Sequence, residues 1–156
     1  AITGGEVRHA RSKNGGGNWT DRQLVESGVQ WWNHAVHIVC DSSDRLYVFY
    51  VDATDRLRVK KSEDNGDTWS THTIGAPEGK TLGRRVWAVV DASNILHVIV
   101  RDDEGAVWYS KSFSLGVAWA AWKQVSSSIV HLDWATNLQI TVDGAGNLHI
   151  VAEAIV

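Results

Sequence analysis

The chain repeats itself every 50 residues, and that period limits its fold more than any other feature. Ser12, Ser62 and Ser112 stand 50 apart (62 − 12 and 112 − 62), and Trp19, Trp69 and Trp119 keep the same step. Each serine–tryptophan pair brackets an octapeptide. Its fullest copy is Ser62-Glu63-Asp64-Asn65-Gly66-Asp67-Thr68-Trp69. The copy from Ser12 to Trp19 has Asn14 in place of the acid and keeps Gly16. The worn copy from Ser112 to Trp119 has Ser114 there and keeps Gly116. A period near 50 residues means one supersecondary unit stacked on itself, and propeller blades have that period.

Within one period the pattern predicts four strands. Ala35–Cys40 is a short apolar run closed by the turn cluster Asp41-Ser42-Ser43-Asp44. Leu46–Val51 is almost wholly apolar or aromatic, as in a strand buried on both faces. Asp52-Ala53-Thr54-Asp55 turns the chain, and Leu57–Lys61 alternates apolar with charged residues, as a half-exposed strand does. The octapeptide turns again, and Trp69–Ile74 makes the fourth strand. The segment from Asp41 recurs from Asp91 and from Asp143, at steps of 50 and 52 (91 − 41 and 143 − 91), with the extra residues near Ser126–Ser128. The expectation is an all-β propeller of four-stranded antiparallel blades. Repeat frames fall at about 6–55, 56–105 and 106–156. Strands three and four of one blade (Val7–Ser12, Trp19–Val25) open the chain. Strands one and two of another (Asn137–Val142, Leu148–Ala154) end it.

Three blades' worth cannot close a ring, because propellers have about 4–8 blades. Residues 1–4 and 153–156 both map onto 101–104 of the repeat, so the last half-blade of one copy leads into the first half-blade of another. We expect a homodimer in which two half-propellers close a six-bladed ring; the alternative is an excerpt of a longer or engineered chain. The chain begins at Ala1 and holds no Met, which fits a processed form or such an excerpt.

Composition narrows the function classes. A net charge of −3 with no basic run gives no nucleic-acid footprint. No apolar stretch reaches the roughly 18 residues of a membrane span. Cys40 is alone, so no intrachain disulfide forms, and it reads as a small buried apolar side chain at a strand end. Phosphate-loop, Gly-x-Ser-x-Gly and zinc-ligand spacings are missing, so no cofactor or metal is expected. His97 and His149 are repeat equivalents and read as strand packing.

The octapeptide has a local physical purpose. Ser and Asp two residues apart both bond turn backbone with their side chains. Gly66 takes φ > 0 without penalty, and Trp69 buries a large ring. The pattern Ser-x-Asp-x-Gly-x-Thr-Trp resembles the Asp-box, or bacterial neuraminidase repeat, of sialidase-like β-propellers. Ser62–Trp69 matches it fully, Ser12–Trp19 with Asn14 for Asp, and Ser112–Trp119 in part. In that family the box lies between strands three and four, away from the active face.

The resemblance therefore puts function on the opposite face, at the starts of strand one and the turns between strands two and three. The ligand-binding candidates there are Trp32, His34, Tyr50, Arg84, Arg85, Arg101, Asp102, Asp103, Glu104 and Trp134. Flat rings stack on sugars, and Arg forks hold carboxylates. Trp32 and Trp134 serve equally as inter-blade packing, and Arg84 and Arg85 equally as a solvated loop. Trp108 falls where other repeats carry Arg8 and Arg58, as an exposed patch or a partner contact.

A sialidase of this family needs an arginine triad, a Tyr–Glu nucleophile pair and an Asp acid/base. The family's Arg-Ile-Pro signature is missing, since the lone Pro77 follows Ala76. Arg84, Arg85 and Arg101 imitate part of a triad, and Tyr50 is the one Tyr near the right strand end. Similar propellers among polysaccharide lyases use His, Tyr and Arg, which His34, Tyr50 and Arg84 echo faintly. A two-fold ring would make the central pocket symmetric, whereas glycoside hydrolysis needs two different carboxyl roles. The reading is non-catalytic glycan binding, with an extracellular or secreted setting. A sialidase-type hydrolase or lyase is the alternative, and a structural scaffold the second.

Overall fold

The computed structural model describes residues 5–20, 22–29, 36–126 and 137–152, with the backbone alone at Arg84. The described residues form twelve strands in four antiparallel sheets and no helix. The first sheet is β1 (Gly5–His9) with β2 (Gln23–Val29). The second runs in order through β3 (Val36–Cys40), β4 (Leu46–Val51), β5 (Leu57–Ser62) and β6 (Ser70–Gly75). The third does the same with β7 (Leu82–Val90), β8 (Leu96–Asp102), β9 (Val107–Ser112) and β10 (Lys123–Ser126). The fourth is β11 (Leu138–Val142) with β12 (Leu148–Ala152). The fold is a stretch of β-propeller: half a blade, two whole blades and half a blade.

Packing between blades explains why strand two is apolar throughout. Alternate residues of a strand point to opposite faces. Tyr47, Phe49 and Val51 of β4 pack toward the third sheet, against Val86, Ala88, Leu96, Val98 and Val100. Val48 and Tyr50 pack the other way, on Val7, Val25 and Val29 of the first half-blade. In β8, Ile99 turns toward the last half-blade and meets Leu138 and Ile140. Truncating a fully buried ring such as Phe49 to Ala costs about 3–5 kcal/mol.

Two expectations are corrected. The opening strands lie at Gly5–His9 and Gln23–Val29 rather than Val7–Ser12 and Trp19–Val25, because among the described strands β1 pairs only with β2 and their ladder carries two register shifts. Cys40 is exposed rather than buried. It lies on the same face of β3 as Val36 and Ile38, and no described strand covers that face. Desolvation first, then Asp44 and Asp41, push its thiol up.

Candidate functional site

Most of the carboxylates that look chemical in the sequence are committed to turns. In the octapeptide, Ser62 Oγ accepts from Gly66 N (2.7 Å) and donates to Asp64 Oδ1 (2.7 Å). Asp64 also accepts from the amide (2.8 Å) and the hydroxyl (2.5 Å) of Thr68. These bonds, the Thr68 hydroxyl first, lower the Asp64 carboxyl to about 2. Gly66 has φ 93°, and a Cβ there would sit 2.4 Å from His9 Cε1. Trp69 Nε1 closes the turn on Gly66 O at 3.1 Å. Asn14 Oδ1 and Ser114 Oγ take the place of Asp64 in the other copies, accepting from Asn18 N and Ala118 N at 2.8 Å. The worn copy keeps its geometry because the turn needs an acceptor oxygen rather than a charge.

A second turn recurs five times, at Asp41, Asp52, Asp91, Asp102 and Asp143. Each Asp carbonyl accepts from the residue three on, which has positive φ: Asp44, Asp55, Asn94, Gly105 and Gly146. This is a type I turn followed by a left-handed residue, a common three-residue hairpin loop. One carboxylate oxygen accepts from the amide four residues on. The other meets a polar side chain six residues on: Tyr47, Arg58, His97, Trp108 or His149. Five residue types thus play one part, which accounts for Trp108 standing where another repeat has Arg58. Its Nε1 donates to Asp102 Oδ2 at 2.8 Å, as Arg58 Nε donates to Asp52 Oδ2 at 2.6 Å. The sequence signal was an Asp with Asp, Asn or Gly three on and a donor six on, which sequence reading missed.

Strands alternate in direction, so the octapeptides and the Asp41, Asp91 and Asp143 turns share one end of the blades. The Asp52 and Asp102 turns lie at the other, which is the expected functional face. Trp32, His34 and Trp134 belong to that face in the sequence reading and lie outside the described residues, as does the Arg84 side chain.

The described rim of the third sheet brings several candidates together. β7 and β8 pair Leu82 with Asp102 and Val86 with Val100, so the ladder bulges across Gly83, Arg84 and Arg85. Bulges of this kind re-aim side chains at sheet rims. Gly83 lies so close to β8 that a Cβ would meet Arg101 O and Asp102 O at 3.0 Å. Arg101 is the β8 residue between those two pairs, so the bulge sets Arg85 opposite it. Burial lowers Arg101, Asp102 opposes this, and Arg85 adds to the lowering. Glu104 pairs with Lys80 at 2.6 Å, Asp103 is exposed, and Asp102 is 1% exposed. Asp102 is therefore a turn lock rather than a ligand-facing acid. No group of three or more His, Cys, Asp or Glu able to hold a metal occurs among the described residues.

Tyr50 lies apart from this rim. Its hydroxyl donates to Glu26 Oε2 at 2.9 Å, and Lys60 Nζ sits 3.1 Å from the same oxygen. Burial first and the Glu26 carboxylate second raise the Tyr50 phenol far above its usual value. Burial disfavours the charge on Glu26, but the bonds from Tyr50, Ser27 and Lys60 outweigh it and hold its carboxyl low. Tyr50 is buried between the first half-blade and β4. A buried, raised phenol neither meets a substrate nor ionises readily. The pair ties two blades together.

The described residues define an open stretch of β-propeller. No family model matches the chain, and no curated protein matches it. Solved structures do. A point mutant of NanB sialidase from Streptococcus pneumoniae superposes with a TM-score of 0.68 at 17% identity, over 94% of this chain and 23% of that one. The same sialidase in complex with 2-[(3-chlorobenzyl)ammonio]ethanesulfonate gives 0.64 at 17% identity, over 93% and 23%. A protein of unknown function from Dyadobacter fermentans DSM 18053 gives 0.66 at 14% identity, over 94% and 43%. The chain thus spans under a quarter of the sialidase chains, and at these identities the likeness concerns the fold.

Proposed function

We propose that this propeller stretch binds an acidic glycan without cleaving it. The observation that carries the reading is the β7–β8 bulge, which sets Arg85 opposite Arg101 at the rim. Guanidinium forks fit a sugar carboxylate in two-point geometry. Three acids among the described residues already have structural partners. Asp102 holds its turn, Glu104 is paired with Lys80, and the Tyr50–Glu26 pair is buried. The sialidase neighbours make hydrolysis the alternative that the test must separate.

A glycan array carrying sialylated and uronate oligosaccharides, run beside a fluorogenic sialoside assay, is that test. The reading expects acidic glycans to be retained and the sialoside left intact. Arg101→Ala removes a charge-assisted contact worth about 1.5–3 kcal/mol, a loss of roughly tenfold or more in affinity. Turnover that disappears in Arg84→Ala would overturn the reading in favour of an enzyme. Neither binding nor turnover would leave a structural scaffold.

A further inference from the structure

Among the described residues, one face and one edge at each end are uncovered, and each end carries what the other lacks. By the steps of 50 and 52, Val36 corresponds to Val86 and Leu138, and Ile38 to Ala88 and Ile140. Val86, Ala88, Leu138 and Ile140 are buried, while Val36 and Ile38 are 49% and 48% exposed. The buried ones are covered by inner strands of the preceding blade: Val86 and Ala88 by Tyr47, Phe49 and Val51, Leu138 and Ile140 by Ile99, Trp87 and Val89. Before β3 the described residues supply only β1 and β2, an outer pair. That pair covers Val48 and Tyr50 of β4 and leaves β3 open.

The missing cover exists at the other end. Val151 of β12 corresponds to Phe49 and Ile99, which are fully buried, yet Val151 is 70% exposed. Trp19 follows the same logic. Trp69 and Trp119 lie half-buried against the preceding blade, on His9 and on Phe49, whereas Trp19 is 65% exposed. Its preceding blade is not among the described residues.

The edges match as well. In both whole blades strand two pairs with strand three, Phe49 with Val59 and Ile99 with Tyr109. Among the described strands β12 pairs only with β11, and β1 only with β2. β5 and β9 run as far as Ser62 and Ser112, but β1 stops at His9, short of Ser12. Unpaired strand edges invite another chain.

We propose that these surfaces receive a second copy of this chain. β11–β12 of one copy enter as the inner strands of the blade whose outer strands are β1–β2 of the other. β12 then runs antiparallel to the partner copy's β1, with Val151 opposite His9 and Leu148 opposite Ser12. Val151 and Thr141 cover Val36 and Ile38 across the junction, and Trp19 gains its preceding blade. Each copy does this for the other, so the head-to-tail contact closes at two copies and six blades. Three copies would give nine, beyond the usual range. The proposal is independent of glycan binding.

Register and surface are tested separately. In a Cys40→Ser background, His9→Cys with Val151→Cys is oxidised and run on a non-reducing gel. The expected product is a crosslinked band of twice 17.2 kDa. Ile150→Cys with His9→Cys, whose thiols face opposite sides, is expected to give none. Val151→Asp alters a residue that is solvent-exposed in the single chain, and should yield a folded 17.2 kDa species by light scattering. Equal crosslinking by both pairs, no crosslink by either, or a Val151→Asp protein of unchanged dimeric mass overturns the proposal. A parent protein of 17.2 kDa overturns it too, and is the result expected if further blades of a longer chain cover these faces.

Discussion

Asp102→Ala separates a turn lock from a ligand contact. The Asp102 carboxylate is 1% exposed and accepts from Ala106 N and Trp108 Nε1, both at 2.8 Å. Removing it leaves two N–H groups without acceptors. Each such buried group costs about 1–3 kcal/mol, and partial access of water to the vacated space puts the sum at about 2–4 kcal/mol. For a chain of this size 1 kcal/mol moves the melting temperature by roughly 2–4 °C, so the drop should be roughly 4–16 °C. Asp103→Ala, next door and exposed, should stay within about 0.5 kcal/mol of the parent. Thermal melts followed by circular dichroism, at fixed protein concentration because the proposed dimerisation would couple to stability, measure both. An Asp102→Ala protein that melts like the parent but has lost glycan binding would refute the assignment.

Further outcomes follow from other residues. The Asp41, Asp52, Asp64 and Asp91 carboxyls are held below their unfolded values. Their contribution is therefore complete above about pH 4 and is lost as pH falls toward the folded values, near 2 for Asp64. Asp64→Asn should keep the turn, as Asn14 does, and flatten that acid limb of the melting curve. Gly66→Ala should destabilise more than Gly16→Ala. Both residues have φ 93°, but only Gly66 faces a close atom, on His9, so denaturant midpoints should rank them in that order. Trp108→Arg should lose less stability in the same assay than Trp108→Ala, because arginine already fills this role at Arg58. Tyr50→Phe should cost on the order of 1 kcal/mol and leave glycan binding intact, since its hydroxyl serves only Glu26 between blades.

Blade count and strand order were legible because the 50-residue step is written in residues that turns and interfaces require. Ser62, Gly66 and Trp69 announce their roles through local chemistry, and Leu46–Val51 announces two-sided burial through its run of apolar residues. The turn bonds of Asp102 were not legible because its partners, an amide and an indole, follow it along the hairpin and carry no acidic or basic signature. The bond of Tyr50 was hidden for a different reason. Its partner Glu26 lies 24 positions away, on a strand of another blade. The Arg85–Arg101 pair was half visible, since arginine content shows in sequence but the bulge that juxtaposes them does not. Cys40 failed because burial of a strand face depends on what the neighbouring blade supplies.

Two chains closing one ring is the claim on which the bare faces, the open edges and the symmetric channel all depend. Sedimentation equilibrium of the unaltered 156-residue chain, at several loading concentrations, tests it most directly. The account predicts a single species of 34.4 kDa (2 × 17.2). A mass of 17.2 kDa at every concentration, or an open series of larger masses, would contradict it.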